Sequence, residues 1–133
     1  MSIKNSFFQI LAGLVLLSCA AQAPATGGPK DSTGPQLVSV HPENGSLNIS
    51  SQQKIILIFD EMLDPVSVPA SISSKDNVEL KIKTRSRTIT IHPENEWPKN
   101  QPVRISVSRR IRDYQGNSMA TPVQLIYSTK NKL

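Results

Sequence analysis

A single cysteine in 133 residues excludes an internal disulfide framework and any multi-cysteine zinc or iron–sulfur site. Two histidines leave little material for a metal centre. Aromatic residues are only 5% of the chain while prolines number 10, a balance that argues against a helical bundle. Acids are the minority charge, 10 against 15 Lys and Arg, for a formal net charge of +5. No apolar run approaches the ~20 residues needed to cross a ~30 Å hydrocarbon core. What remains is a chain of single-domain length, too short for most multi-domain enzymes and, at 38% hydrophobic, too apolar to be wholly disordered.

The amino terminus reads as an address. Lys4 supplies a positive charge, and residues 7–17 (FFQILAGLVLL) form a short apolar stretch interrupted by Gln9. That is the layout of a secretory signal rather than of a membrane span. Leu16-Leu17-Ser18-Cys19 follows and resembles the bacterial lipobox, which implies cleavage after residue 18 and lipidation of Cys19. Removal of residues 1–18 takes away one lysine and no acid, lowering the charge by one. Several acyl chains on one residue, at ~0.8 kcal/mol per buried methylene, make a stable anchor. Residues 19–35 hold the lipidated cysteine and a Pro/Gly/Ser/Thr-rich tether. As a coil it would place the domain roughly 20–25 Å from the bilayer. No acid follows Cys19 before Asp31, and position 20 is not Asp. By resemblance to the sorting of Gram-negative lipoproteins, that implies the outer membrane, periplasmic face.

From residue 36 to 133 the pattern is of short strands and turns. Gln36–Val40 is extended, and Glu43-Asn44-Gly45-Ser46 is a turn in which Asn-Gly accepts positive φ. Lys54–Phe59 (KIILIF) is wholly apolar after Lys54, which suggests either a central strand buried on both faces or a run too short to classify by period. Pro65 and Pro69 interrupt the chain. Val78–Lys83 alternates, with Val78, Leu80 and Ile82 on one face and Glu79, Lys81 and Lys83 on the other; Arg85 and Arg87 extend the polar face. Thr88–His92 alternates again. Pro93–Pro102 reads as a polar crossing segment. Val103, Ile105 and Val107 oppose Arg104, Ser106 and Ser108, and Val123–Ser128 closes the domain. Six or seven strands at this spacing indicate an all-β domain, a sandwich with a barrel as the alternative.

Several short motifs then align with a known family. Pro42-Glu43-Asn44-Gly45, Phe59-Asp60-Glu61 and Asp113-Tyr114-Gln115-Gly116-Asn117 fall in the order and spacing of the bacterial Ig-like domain of surface-layer proteins. Thr26-Gly27-Gly28-Pro29-Lys30-Asp31 resembles the start of Bacteroidetes lipoproteins that carry such a domain. The resemblance implies an Ig-like β-sandwich of about seven strands. Val103 stands where the family often has Tyr, so a tyrosine-corner hydrogen bond is not expected there. Many relatives continue into further domains.

Little in the chain suggests catalysis. Asp60, Glu61 and Asp64 are the densest acids, but neighbours at a strand end cannot all converge on one substrate atom, and no loop has calcium-ligand spacing. Asp113 to Asn117 suits an Asx-turn with Gly116 at positive φ. His41 and His92 each precede a proline at a strand end. No nucleophile elbow, phosphate loop or nucleotide fingerprint occurs. No cofactor and no metal are therefore expected. The basic residues are the remaining candidates: Lys81, Lys83, Arg85 and Arg87 along one strand face, and Arg109, Arg110 and Arg112 beyond another. They suit either a solvated, aggregation-resistant edge or a contact patch for anionic headgroups or an acidic polymer. Nucleic acid is excluded as a partner by the extracytoplasmic address and the scarcity of aromatics. The expectation is a non-enzymatic, lipid-anchored envelope domain. It would contact the membrane through its lipid and an envelope protein or polysaccharide through its sandwich. An accessory subunit of an envelope complex is the alternative, and a small hydrolase the remotest.

Overall fold

A computed structural model describes residues 32–133. Cys19, the signal sequence and residues 20–31 of the tether lie outside the described residues. Seven strands form: β1 (Leu37–His41), β2 (Ile55–Phe59), β3 (Ile72–Ser74), β4 (Leu80–Arg85), β5 (Thr88–Pro93), β6 (Pro102–Val107) and β7 (Val123–Ser128). Two sheets result, one of order β1-β2-β5-β4 and one of order β3-β6-β7, with every neighbouring pair antiparallel. This is an Ig-like β-sandwich, and the barrel alternative falls because the two sheets have separate edges.

The period-two pattern explains the layering. On β2 Ile55, Leu57 and Phe59 are buried, on β5 Ile89 and Ile91, on β6 Val103, Ile105 and Val107, and on β7 Leu125 and Tyr127. Together with Leu63, Val68, Trp97, Ile111 and Met119 they form one core. Each full side-chain burial contributes about 1.5–3 kcal/mol before the entropy of ordering is subtracted. The other face of each strand meets water, which is how an antiparallel sheet of this kind produces its alternation.

Three expectations change. The apolar run of β2 is buried on one face only: Ile58 is 42% exposed, because among the described residues no layer covers the outer face of the larger sheet. The segment 93–102 is not simply polar, since Trp97 is fully buried and its indole N–H donates to the Gln53 carbonyl at 2.8 Å. β3 is a strand that the sequence pattern does not signal. Residues 65–71 form two proline-started 3-10 turns, the first capped by the Asp64 carboxylate on the Val66 N–H at 3.1 Å, and they deliver Ile72 against Val107.

The tether also reaches the domain earlier than expected. Pro35 is buried, and Gly34 lies so close to the Ser118 backbone that a Cβ there would sit 1.8 Å from the Ser118 oxygen. Gly34 is thus required for close approach. Gln36 and Asp60 then exchange bonds: the Gln36 N–H donates to Asp60 Oδ1 at 2.8 Å, and the Asp60 N–H donates to the Gln36 carbonyl at 3.0 Å.

The Glu43–Ser46 turn forms as the sequence indicates, with Gly45 at φ +93°. It also serves a distant strand. Asn44 Oδ1 accepts from the Ile126 N–H at 2.8 Å, and its Nδ2 donates to the Gln124 carbonyl at 3.1 Å. The Gly45 N–H donates to the Ile126 carbonyl and the Ile49 N–H to the Ser128 carbonyl. The outer edge of β7 is covered by this loop.

Candidate functional site

The outer face of the larger sheet is built in rows by its register. Arg85, Thr88, Ile58 and Ser39 are successive partners across β4, β5, β2 and β1, and so are Lys83, Thr90, Ile56 and His41. Lys81 stands opposite His92. Lys81, Lys83 and Arg85 therefore form a column on β4, beside a column of Thr88, Thr90 and His92, beside the isoleucines of β2. Side chains at alternate positions lie about 6.6–6.8 Å apart along a strand. None of the four strands contains an Asp or Glu. Lys81 reaches Glu94 at 3.5 Å, while Lys83 and Arg85 make no ion pair among the described residues. The face carries an excess of positive charge.

The seven basic residues singled out from sequence do not form one patch. Lys81, Lys83 and Arg85 share the sheet face, and Arg87 sits in the β4–β5 turn, where its carbonyl accepts from the Phe59 N–H at 2.9 Å. Arg109, Arg110 and Arg112 belong to the loop after β6, and each is engaged locally. Arg109 Nε donates to the Met119 carbonyl at 3.4 Å, Arg110 donates to the Ala70 carbonyl at 2.9 Å, and Arg112 lies 3.7 Å from the Asp64 carboxylate. Arg110 and Arg112 line a small groove of about 340 Å³ with Ser67 and Ser118. The Arg110 bond to Ala70 and the Arg112 pair with Asp64 hold the 3-10 turns against the loop, a structural task for these guanidiniums that sequence spacing did not show.

The acids behave structurally. Asp60 holds the incoming chain at Gln36, and Asp64 caps the first 3-10 turn and faces Arg112. Asp113 is the buried one. Its Oδ1 accepts the Gln115 and Asn117 N–H groups, both at 2.9 Å, and its Oδ2 accepts the Asn117 amide at 3.1 Å. Gly116 turns at φ +86°, as the Asx-turn reading requires. Burial opposes the charge on Asp113, but the bonds from Asn117, Gln115 and Gly116 outweigh it and hold the carboxyl below the ordinary aspartate value. His41 and His92 stand on β1 and β5 with β2 between them. Among the described residues no three His, Cys, Asp or Glu side chains gather as metal ligands would. Nor, among them, is any helix long and apolar enough to cross a membrane.

Sequence reasoning missed the tightest ion pair. Asp76 accepts the Arg104 backbone N–H at 2.8 Å and both Nε and a terminal nitrogen of its guanidinium, the latter at 2.6 Å. The two residues are 28 positions apart, so no local pattern could have paired them. Partial burial opposes the Asp76 charge, yet Arg104 wins and lowers the carboxyl below its ordinary value.

Two antiparallel sheets, a one-sided alternation on each strand and an Asx-turn before the last strand define an immunoglobulin-like module. Residues 31–129 match the model of the bacterial Ig-like domain, and the chain belongs to that family. No curated protein matches it significantly. Among solved structures, an L,D-transpeptidase from Mycobacterium smegmatis has a TM-score of 0.53 at 16% identity, over 72% of this chain and 40% of that one. An L,D-transpeptidase from Mycobacterium tuberculosis has a TM-score of 0.47 at 16% identity, over 69% of this chain and 38% of that one. The N-terminal part of the bacterial S-layer protein SbsC has a TM-score of 0.48 at 16% identity, over 74% and 24%. The first likeness is one of fold, and this chain spans well under half the length of that protein.

Proposed function

We propose that this chain is a lipid-anchored, non-enzymatic envelope protein whose Ig-like domain presents a positively charged sheet face to an anionic protein or polysaccharide. The observation that carries the contact role is the outer face of β1, β2, β4 and β5, strands that contain no Asp or Glu, with Lys83 and Arg85 lacking an acidic partner among the described residues. On an edge strand such charges also resist edge-to-edge aggregation, and a contact role uses the same unpaired charges. Two or three such charges close to an anionic surface contribute up to about 1 kcal/mol each. The engaged carboxylates support the non-enzymatic part, since Asp60, Asp64 and Asp113 all hold backbone groups. The sequence at Leu16–Cys19 supports the anchor, and family membership supports the envelope.

Two experiments test this. In cells, Cys19→Ser should abolish fatty-acid labelling and release the protein from the membrane fraction; sedimentation unchanged from the parent would refute the anchor. Crosslinking in intact cells followed by pull-down of the lipidated protein should capture a partner through the β4 face. Capture equal to the parent's in a Lys81→Ala, Lys83→Ala, Arg85→Ala variant would refute the contact surface.

A further inference from the structure

A sandwich of two open sheets has four edge strands, and unpaired edges recruit other strands unless something blunts them. Three of the four are blunted by their geometry or by cover, and the fourth, β4, only by its charges. β1 carries an irregularity between Leu37 and Ser39, β3 is three residues long, and β7 is covered by the loop from Asn44 to Ile49. β4 differs. It is six residues long, contains no proline, stays in register with β5 throughout, and among the described residues has no strand on its other side. Beside it lies a groove of about 420 Å³, lined by Pro69, Ile72, Ser73 and Ser74 from the facing sheet's side and by Val78, Leu80 and Ile82 from β4's own segment.

We propose that the outer edge of β4 is a docking site for an extended segment of a partner protein in which acidic and apolar residues alternate. A strand added to β4 would pair with its free backbone groups. Its alternate side chains would enter the groove against Ile72, Leu80 and Ile82, while the others emerged level with Lys81, Lys83 and Arg85. Charge complementarity selects the occupant. A second copy pairing β4 to β4 would bring two Lys/Lys/Arg columns together, and like charges on adjacent strands are destabilising. Residues 20–31 of this chain (AAQAPATGGPKD) contain two prolines, two adjacent glycines and no acid before Asp31, so they cannot supply the alternation. An acid at every second position gains from the same charges that forbid self-pairing. This inference rests on the reading of the β4 face as a contact surface and names the partner's chemistry.

The test uses the full lipidated protein in detergent and a short capped peptide of alternating Glu and Val. The controls are a peptide of the same composition with Glu and Val in separate blocks, an alternating Lys–Val peptide, and poly-glutamate. The alternating Glu–Val peptide should bind more tightly than the block peptide and slow amide exchange at Leu80–Arg85. In a Lys83→Glu, Arg85→Glu variant, both positions being exposed, its affinity should fall about tenfold and the Lys–Val peptide should become the better ligand. Equal binding of alternating and block peptides without slowed exchange in β4 would overturn the edge inference. If poly-glutamate bound in that case, the contact-face reading would stand. Absence of binding by every acidic probe would overturn both, and self-association of the parent through β4 would overturn the choice of occupant.

Discussion

The Tyr127 hydroxyl donates to the Pro42 carbonyl at 2.7 Å, joining the last strand to the loop after the first across 85 positions of sequence. The ring is fully buried. Its place differs from the one where the family often puts its tyrosine, now held by Val103, but the physical effect is similar: a buried aromatic pins a loop to the core through its polar tip.

Tyr127→Phe should therefore lower stability by about 1 kcal/mol near neutral pH, the usual net value of a hydrogen bond. Burial raises the Tyr127 hydroxyl to about 12. A folded value above the unfolded value of about 10 gives stability that is complete below pH 10 and is lost as pH rises toward 12. The parent should lose up to about 2–3 kcal/mol over that window and the Phe variant should not. Denaturant titrations at about pH 9 and about pH 11, either side of the unfolded value, make the comparison. Parallel losses in both proteins would contradict it.

Asp113 and Asp76 act at the other end of the scale. Both carboxyls are held below the ordinary value in the folded state. Their contribution is complete above about pH 4 and is withdrawn as pH falls through the lowered folded values. Acid unfolding of Asp113→Asn should be shallower than that of the parent, although this variant should be less stable near neutral pH because its amide accepts fewer bonds than the carboxylate. An unchanged acid profile would show that Asp113 is not the group responsible.

The core prediction separates two neighbours on β6. Ile105 is fully buried, whereas the Arg104 side chain is 55% exposed. Ile105→Ala should cost about 2–5 kcal/mol, a large share of a domain worth roughly 5–15 kcal/mol. Arg104→Ala should cost less, but more than a bare surface site, because Asp76 would lose the guanidinium and keep only the backbone N–H of residue 104. Thermal unfolding of both variants tests the strand register directly.

Gly34→Ala should be destabilising by about 1–3 kcal/mol even though the residue precedes the first strand. Its Cβ would collide with the Ser118 oxygen, and backbone on both sides would have to move. Ala at Gly45, where a Cβ meets nothing within 4 Å, is penalised only by its positive φ. A silent Gly34→Ala would mean that the domain does not hold the chain at this point.

The alternation of β4 and of β5 was legible because a strand's faces repeat every two residues, so Lys81, Lys83 and Arg85 had to share one face wherever the strand lay. The Asx-turn at Asp113 was legible for the same local reason: its acceptor and donors lie within four positions. β3 was not, since Ile-Ser-Ser after two prolines has no period of its own and becomes a strand only against β6. Trp97 reads with the polar residues around it, because the Gln53 carbonyl that satisfies its N–H is 44 positions away.

Local chemistry thus determined every strand but β3, the main turns, the basic face of β4 and the lipobox-like Leu16–Cys19 segment, since each depends on residues a few positions apart. Tertiary structure alone decided that Ile58 faces water, that Arg104 meets Asp76, that Arg109, Arg110 and Arg112 brace loops instead of joining the β4 column, and that β4 is the edge left open. Those outcomes depend on which strands become neighbours, and that is settled by burying one apolar face of each sheet against the other across the whole chain.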